Sequence, residues 1–239
     1  MKSYENLMTW SRNNNIDIKS LSKIKDMILL GKRGPRTSKD PVQFPEYYYS
    51  DSDAKPWHQP TSYDWVRKLE EAFQDIAQEA SNIETLALFN PHPQNDELAK
   101  RSTWNTFFLY KNGKKFEDNC KQCPITTRII ESIPGTNIVG RVYFSMMGSG
   151  IHIQPHCGPH NFKLRCHLGI TTPQKASMRV AEETRIWEEG KCLVFDDSFE
   201  HEVWNKSDST RLVLIVDTWN PSLSKLEQKA LTYIGIPSA

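Results

Sequence analysis

A long apolar segment, an excess of charge and an even set of cysteines are all missing from this sequence. Lys and Arg number 30 and Asp and Glu 29, so the net charge of +1 gives no overall electrostatic argument for a nucleic acid or membrane surface as partner. No stretch approaches the roughly 20 apolar residues that cross a bilayer, and the start MKSYENLMTWSRNNN has no apolar signal region. We therefore expect neither a transmembrane segment nor a nucleic-acid partner.

The cysteines are few, and their number is odd. Five cysteines in 239 residues are an odd count in a chain too long to need disulfides for stability. This usage suits a reducing compartment, and the cytoplasm is the expected location. Cys120 and Cys123 have CxxC spacing, but no second pair accompanies them, so a loop with two thiols is favoured over a redox or zinc site.

Length and composition predict one catalytic-sized domain behind an N-terminal extension. The extension, residues 1–45, carries nine basic and four acidic residues and so has a charge of +5. A helix is predicted over 18–30, where Leu21 and Ile24 share an apolar face, and it should end before the breaker GKRGPR. A solvated helix docked on the domain is favoured over a dedicated binding arm. The domain itself is expected to span 46–239.

The remaining pattern is one helix followed by many short strands. A helix is predicted over 62–81, because Trp65, Leu69, Phe73 and Ile76 keep helical spacing. From about residue 103, short apolar runs are divided by turn residues, which predicts a sandwich or barrel and so a mainly β fold with flanking helices. The runs are WNTFFLY, GRVYFSMM, FKLRCHLGI, MRVA, KCLVF and RLVLIVDTW.

Four of the seven histidines fall in the stretch HIQPHCGPHNFKLRCHLG. Three of them stand four residues apart, as on one face of a zinc-binding helix, but Pro155, Gly158 and Pro159 are incompatible with a helix. The stretch is instead predicted to be a strand end that turns into a second strand near Phe162. The four histidines are His152, His156, His160 and His167.

The second strand has two unlike faces. Apolar residues alternate along it with Lys163, Arg165 and His167, so one face is predicted to be core and the other is strongly basic. The basic row fits a solvated surface strand, and it equally fits the interior of a barrel that holds an anionic ligand.

A further histidine and arginine follow later in the chain. His201 lies in an acidic turn between two strands, and Arg211 opens the strand RLVLIVDTW on the same face as Val213 and Ile215. An arginine inside an apolar strand needs an anionic partner, because an unpaired buried charge is costly. A metal ligand followed by a buried arginine suits chemistry on a chelating dicarboxylate.

Three stretches of the chain resemble one known family. HIQPHCGPHNFKLRCHLGI, ETRIWEEGKCLVFDDSFEHEVWN and RLVLIVDTWNP are similar to the aspartyl/asparaginyl β-hydroxylases, which are iron(II)- and 2-oxoglutarate-dependent dioxygenases. The likeness is strongest over 140–221 and extends weakly back to about residue 50. It implies a double-stranded β-helix core of the jelly-roll or cupin kind, with Fe(II) as cofactor and 2-oxoglutarate and O2 as cosubstrates.

The resemblance also implies roles for single residues. His156 and His201 match the iron ligands of the family. Arg211 matches the arginine that grips the distal carboxylate of 2-oxoglutarate, and Ser145 matches a serine that assists it. His167 falls where the family has a histidine beside the 1-carboxylate of the cosubstrate.

The positions that would contact the substrate depart from the family pattern. Arg165 matches an arginine that points at the acid group of the substrate, and Lys163 replaces a second arginine while keeping the charge. Tyr143 stands in place of a lysine, so the substrate is left open. The resemblance implies no role for His152 and His160, which are expected to be solvated or hydrogen-bonded.

The usual iron(II) dioxygenase triad of two histidines and a carboxylate is incomplete here. The residue two after His156 is Gly158, which has no side chain to bind a metal. The family has the same pattern, with water expected in the vacated position, and Asp197 could hold that water. Halogenation, which some related dioxygenases with Gly or Ala at this position perform, is disfavoured because the flanking stretches resemble the hydroxylases.

Three functions remain in competition. The leading hypothesis is hydroxylation of an unactivated carbon, the β-carbon of Asp or Asn in a peptide or protein. The second keeps this chemistry but acts on a lipid acyl chain or on a free or carrier-bound amino acid. Arg165 with Lys163 favours a peptide, protein or small molecule with an acidic group. The third function, from another class, is a β-barrel that binds a metal or ligand without turnover, and the full set of matched site residues argues against it.

Overall fold

The computed structural model describes residues 2–30, 42–50, 54–100 and 103–235. The predicted breaker GKRGPR, residues 31–36, lies outside these ranges. No helix within them is both long enough and apolar enough to cross a lipid bilayer.

Two antiparallel sheets form the body of the molecule. The larger sheet has the strand order β1-β10-β7-β12-β5-β3-β2, with β4 paired to β3, and the smaller has the order β6-β11-β8-β9. Their facing sides pack together around one apolar cluster, which makes a double-stranded β-helix and confirms the predicted fold. The strands are β1 Trp57–His58, β2 Asn90–Pro91, β3 Trp104–Lys111, β4 Lys114–Lys115, β5 Arg141–Met147, β6 His152–His156, β7 Lys163–Thr171, β8 Ala176–Val180, β9 Glu183–Ile186, β10 Cys192–Phe195, β11 His201–Asn205 and β12 Arg211–Trp219.

Helices cover the outer face of the larger sheet and its end. The helix predicted over 62–81 is present as two helices, which are divided at Ala72, where the backbone leaves helical geometry with φ −91° and ψ 10°. The helices are α1 Lys2–Asn13, α2 Ser22–Leu30, α3 Asp64–Glu71, α4 Phe73–Thr85, α5 Asn95–Leu98, α6 Glu117–Gln122, α7 Pro124–Glu131 and α8 Lys225–Ile234, with 3-10 turns at Ile18–Leu21 and Pro60–Ser62.

The central strand β12 separates two cores. All nine of its residues are buried. Leu212 and Leu214 pack against the helical layer, while Val213 and Ile215 face the space between the sheets. Arg211 therefore points between the sheets too, because side chains alternate along a strand. The face predicted for this arginine is thus confirmed.

Strand β7 repeats this arrangement with a polar inner face. Its apolar residues, such as Leu164 and Cys166, join the helical layer, as the alternation predicted. Lys163, Arg165 and His167 lie on the opposite face, inside the molecule, and Lys163 is only 1% exposed. The solvated-strand interpretation of this row is therefore wrong.

The N-terminal helices pack on the end of the barrel. The helix predicted over 18–30 is confirmed, with its first turn as a 3-10 turn, whereas α1 was not predicted. Leu7 of α1 and Ile24 of α2 are fully buried in a cluster that includes Leu231 of α8. This contact agrees with a helix docked on the domain, and the boundary at residue 45 stays a prediction.

Cys120 and Cys123 are packing residues of the helical layer. Both are buried in the cluster between the helices and the larger sheet, and both are free thiols. Burial raises the pKa of Cys123 to about 12, which keeps the thiol protonated and unreactive. Cys120 lies in α6 and Cys123 between α6 and α7, so the predicted loop is wrong, but the burial supports the interpretation without a redox or zinc role.

Candidate active site

A pair of histidines from the smaller sheet faces the larger one. His156 ends β6 and His201 begins β11, and the two are direct partners in the antiparallel register, with ring centroids 4.2 Å apart. Each ring is fixed by a backbone contact two residues earlier: His156 Nδ1 lies 2.8 Å from the Gln154 carbonyl oxygen, and His201 Nδ1 lies 2.9 Å from that of Phe199. If each Nδ1 carries the proton and donates, each Nε2 keeps its lone pair.

This tautomer is the one that binds metals. A histidine ligand commonly donates its other ring N–H to a carbonyl or carboxylate, which sets its orientation. Burial lowers the pKa of both His156 and His201, so the neutral imidazole is favoured. Two Nε2 atoms that are free, neutral and adjacent fit a divalent transition metal with imidazole ligands.

No protein carboxylate completes a triad. Within the ranges that the structure describes, no group of three or more His, Cys, Asp or Glu side chains is arranged around a common metal position. Gly158 has no room for a side chain, because a Cβ there would lie 2.7 Å from the carboxylate of Asp197. The backbone N–H of Gly158 also donates to the Asp197 carbonyl oxygen at 2.6 Å. Asp197 therefore fills the space that a carboxylate at position 158 would need.

Arg211 is a buried cation that has no anionic partner within the described part of the chain. It is 2% exposed, and its contacts are weak: Nη1 lies 3.5 Å from the Ser145 carbonyl oxygen, Nη2 lies 3.3 Å from Met147 Sδ, and Nε has no partner. The guanidinium also stacks 5.1 Å above the ring of Trp187. Burial lowers the pKa of Arg211 to about 10, which still leaves the side chain charged at neutral pH. Such a group is costly unless an anion joins it, so the position fits a ligand carboxylate.

Ser145 lies beside Arg211, and its hydroxyl group can donate a hydrogen bond. Its residue pairs with Val213 across the strands β5 and β12, one step from Arg211. Ser145 Oγ accepts a hydrogen bond from Trp104 Nε1 at 3.1 Å, so the hydroxyl hydrogen remains available. The two residues that the resemblance assigned to one carboxylate are therefore neighbours at one end of the pocket.

His167 occupies the level between this end and the histidine pair. Both of its ring nitrogens are buried without a hydrogen-bond partner in the protein. The ring is held by Trp187, at 6.0 Å and nearly parallel, and by Phe195, at 5.0 Å edge to face. Burial, followed by the charges of Arg165 and Arg211, lowers the pKa of His167 well below its usual value, so the ring is neutral. A neutral N–H without a partner fits an anionic or carbonyl oxygen.

Lys163 and Arg165 form a closed cluster with two carboxylates. Lys163 Nζ lies 2.6 Å from both oxygens of Asp197, and Arg165 Nη1 lies 3.1 Å from Asp197 Oδ2. Arg165 also holds Asp217 with two parallel hydrogen bonds, at 2.7 and 2.9 Å. Burial acts to raise the pKa of Asp197 and Asp217, but the charges of Arg165 and Lys163 outweigh it, so the pKa of Asp217 is lowered and that of Asp197 lies well below its usual value.

This cluster changes what was expected of the two cations. Both had been assigned to an acid group of the substrate, and in this structure both are already matched by carboxylates of the same chain. Their role in substrate binding stays a prediction. Asp217 was missed, although it occupies the inward position of RLVLIVDTW two residues after Ile215, where a lone carboxylate in an apolar strand indicates a buried partner.

One pocket between the sheets collects the predicted residues. Its lining includes Tyr143, which the resemblance had placed among the substrate-contacting positions, and Trp104 and His92, which sequence reasoning had not placed there. The other predicted residues that line it are His156, His201, His167, Ser145, Arg165 and Arg211. Lys163 lies just beyond, in a cavity that is also lined by His156 and His201.

The other two histidines of the cluster lie elsewhere. His152 Nε2 bonds Glu202 at 2.8 Å and its Nδ1 bonds Gln154 at 2.9 Å, as expected of a hydrogen-bonded surface histidine. His160 is buried and stacks on Phe162 at 3.8 Å, away from the pocket, and its Nδ1 has no protein partner.

The chain is similar to known proteins of one family. The family model described as aspartyl/asparaginyl beta-hydroxylase matches residues 70–221. The human aspartyl/asparaginyl beta-hydroxylase is 39% identical over 187 residues, which are 76% of this chain and 25% of that protein. This chain thus corresponds to about a quarter of the length of that relative. The ornithine lipid ester-linked acyl 2-hydroxylase of Rhizobium tropici is 36% identical over 174 residues, 70% of this chain and 61% of that protein.

Among solved structures, similarity is weaker. A prolyl hydroxylase from Trichoplax adhaerens, in complex with a hypoxia-inducible-factor peptide fragment, covers 67% of this chain and 80% of its own, with a TM-score of 0.46 and 12% identity.

Proposed function

This chain belongs to the aspartyl/asparaginyl β-hydroxylase family, and from that premise we propose that it is an iron(II)- and 2-oxoglutarate-dependent dioxygenase that hydroxylates an unactivated carbon. The observation that carries the proposal is the charged, fully buried and unpaired Arg211, in one pocket with two histidines whose Nε2 atoms are free. A barrel that only held a metal would not need this cation.

The residues divide the work among them. His156 and His201 would hold iron(II) through Nε2. Arg211 and Ser145 would bind the distal carboxylate of 2-oxoglutarate with charge-assisted hydrogen bonds, and His167 would donate to its other end. When bound, iron and 2-oxoglutarate supply the oxidising power for a C–H bond, and the protein supplies position and a dry pocket. Asp197, beside Gly158, would orient a water molecule in the vacated ligand position.

The substrate we propose is the side chain of an Asp or Asn residue in a peptide or protein, as the name of the human relative suggests. Recognition of an acid group by Arg165 would require its guanidinium to exchange a carboxylate of the chain for that of the substrate. An acyl lipid is the second candidate, because the Rhizobium relative is named for that substrate and its match covers 70% of this chain. Free or carrier-bound amino acids are a third substrate class.

One assay tests the proposal and separates these candidates. Purified protein with iron(II), 2-oxoglutarate and air is given matched Asp, Asn and Leu peptides, free amino acids and an ester-linked acyl lipid, and succinate is measured. Wild-type protein should form succinate faster with at least one of them, and the product should gain one oxygen atom by mass spectrometry. Absence of substrate-stimulated succinate, together with tight metal binding, would favour the binding module without turnover.

A further inference from the structure

A fourth histidine, outside the sequence cluster, lines the same pocket. His92 lies between β2 and α5, is 3% exposed, and its ring stacks on Trp104 with centroids 3.6 Å apart and planes 11° from parallel. Its backbone N–H donates to the Trp104 carbonyl oxygen at 2.9 Å. The proposed function gives this side chain no task.

The hydrogen bonds of His92 fix which nitrogen carries the proton. Nδ1 accepts the backbone N–H of Gln94 at 3.1 Å, so Nδ1 must be unprotonated. Burial lowers the pKa of His92 to about 3, so the ring is neutral and its proton sits on Nε2. This Nε2–H is buried and has no acceptor among the residues that the structure describes. A buried donor without a partner costs free energy, which a ligand oxygen would recover.

The position of His92 assigns it to the substrate rather than to the distal carboxylate of 2-oxoglutarate. Across the larger sheet, Arg211 pairs with Met147, Val213 with Ser145 and Ile215 with Tyr143, so Tyr143 lies one step further from Arg211 than Ser145 does. The His92 ring is 6.0 Å from the Tyr143 ring. After burial, the charges of Arg141 and Arg165 lower its pKa most, and both arginines line the cavity that also contains Lys163.

We propose that His92 is a substrate-binding residue of this hydroxylase, and that its Nε2–H donates a hydrogen bond to a carbonyl or carboxylate oxygen of the substrate. The inference rests on the proposed function and adds a recognition contact to it. The stack on Trp104 and the bond from Gln94 hold the donor in one orientation before the substrate arrives, so little conformational entropy is lost on binding. Lys163 and Arg165 are already paired with Asp197 and Asp217. The neutral donor of His92 therefore suits an amide or ester oxygen of the substrate as well as an acid oxygen.

The test uses three variants. His92→Phe keeps the stacking and the approximate volume but removes the donor. His92→Gln places an amide N–H close to the position of Nε2 and an amide oxygen where it can accept from Gln94, so it should restore binding. His160→Phe is the matched control, because His160 is also buried, stacked on an aromatic ring and left with an unpartnered nitrogen, but lies outside this pocket.

Binding is measured by calorimetry with zinc(II) replacing iron(II), in the presence of 2-oxoglutarate, so that no turnover occurs. The probes are an aspartyl peptide, the matched asparaginyl peptide and an ester-linked acyl lipid. For the probe that wild-type protein binds best, His92→Phe should weaken binding about three- to tenfold, the usual effect of one hydrogen bond. His92→Gln should recover most of the loss, and His160→Phe should bind like wild type. The affinity for 2-oxoglutarate should stay within about twofold in all three.

The outcomes are distinguishable. If wild type binds and oxidises a probe and His92→Phe does so equally well, the assignment of His92 falls and the proposed function stands. If His92→Phe loses affinity for 2-oxoglutarate instead, His92 belongs to the cosubstrate site and the inference is wrong. If wild-type protein neither binds nor oxidises any probe, the proposed function loses its support and the role of His92 falls with it.

Discussion

The two ends of the pocket contain the same kind of side chain in opposite states. At one end Arg211 is 2% exposed, and no carboxylate of the described residues pairs with it. At the other end Lys163 is buried and Arg165 is partly buried, and the two share Asp197 and Asp217. A buried charge that the chain leaves unpaired indicates that a ligand pairs it, whereas a charge that the chain pairs itself belongs to the framework. The difference supports a cosubstrate site at the first end and a structural role for the ion pairs at the second, although all three cations looked alike in the sequence.

The largest effect should come from the histidine pair between the two ends. In the proposed site His201→Ala removes one of the two histidine ligands, and among the described residues no third His, Cys, Asp or Glu side chain is placed to replace it. We expect activity to fall to background and metal binding at this site to be lost. Metal content after dialysis and succinate formation measure both. Wild-type succinate formation by the double variant, with His156 also replaced by Ala, would contradict the ligand assignment.

Breaking the closed cluster should be costly for folding. Asp217→Ala leaves Arg165 and Lys163 with one carboxylate between them in a fully buried position, so the free energy of unfolding should fall by about 3–5 kcal/mol. Urea denaturation of the metal-free protein measures it. Glu71→Ala, which breaks the exposed pair with Arg67, is the matched control and should change stability very little.

The cost of Asp217→Ala should also depend on pH. Because the folded-state pKa of Asp217 is lowered, its contribution is present above the pKa of the unfolded chain and is lost as pH falls through the folded value. The difference between wild type and variant should thus be complete at pH 7 and shrink below about pH 4. A difference that stayed constant down to pH 2 would show that lost packing, not lost charge, explains the effect.

Arg211→Met should weaken 2-oxoglutarate binding without lowering stability, whereas Asp217→Ala should lower stability. Removing the partner of a ligand carboxylate typically costs about 2–5 kcal/mol, so the 2-oxoglutarate requirement should rise by a factor of roughly 30 to several thousand. The metal-free, cosubstrate-free protein should be as stable as wild type or more so, since an unpaired buried charge is replaced by an apolar chain of similar length. Half-saturation by 2-oxoglutarate and urea denaturation test the two halves. A less stable variant with normal 2-oxoglutarate affinity would show that Arg211 is a structural residue and does not bind the cosubstrate.

Alternation along the strands carried most of what the sequence could predict. In RLVLIVDTW and FKLRCHLGI every second residue faces the helical layer, so spacing alone predicted that Arg165 and His167 share the face opposite the core. It left open whether that face was solvated or lay inside a barrel. The partner of each inward residue did not follow, because Arg165 and Asp217 are 52 positions apart and meet only through the register of β7 and β12. The periodicity of a strand predicts which face a side chain lies on, whereas its partner on another strand can be predicted only from the strand order and register of the sheet.

His92 and α1 escaped prediction for different reasons. His92 stands in a Pro-rich turn, NPHPQ, and nothing local indicates that its ring will stack on Trp104 twelve residues later. Helix α1 contains few apolar residues, and Leu7 is buried only because α2 and α8 enclose it. In both cases a tertiary contact, and not a local pattern, decides the environment of the residue.

The smallest effect should come from Ser145, the neutral side chain beside Arg211. Ser145→Ala removes a hydroxyl whose oxygen accepts from Trp104 and whose hydrogen faces the pocket, while Arg211 stays in place. One neutral donor to a carboxylate contributes about 0.5–1.5 kcal/mol net, so the 2-oxoglutarate requirement should rise only about three- to tenfold. In the double variant with Arg211→Met, the loss should be less than the sum of the two single losses, because both side chains act on one carboxylate. Strict additivity would place Ser145 and Arg211 on different groups of the ligand and would remove the serine from the cosubstrate grip.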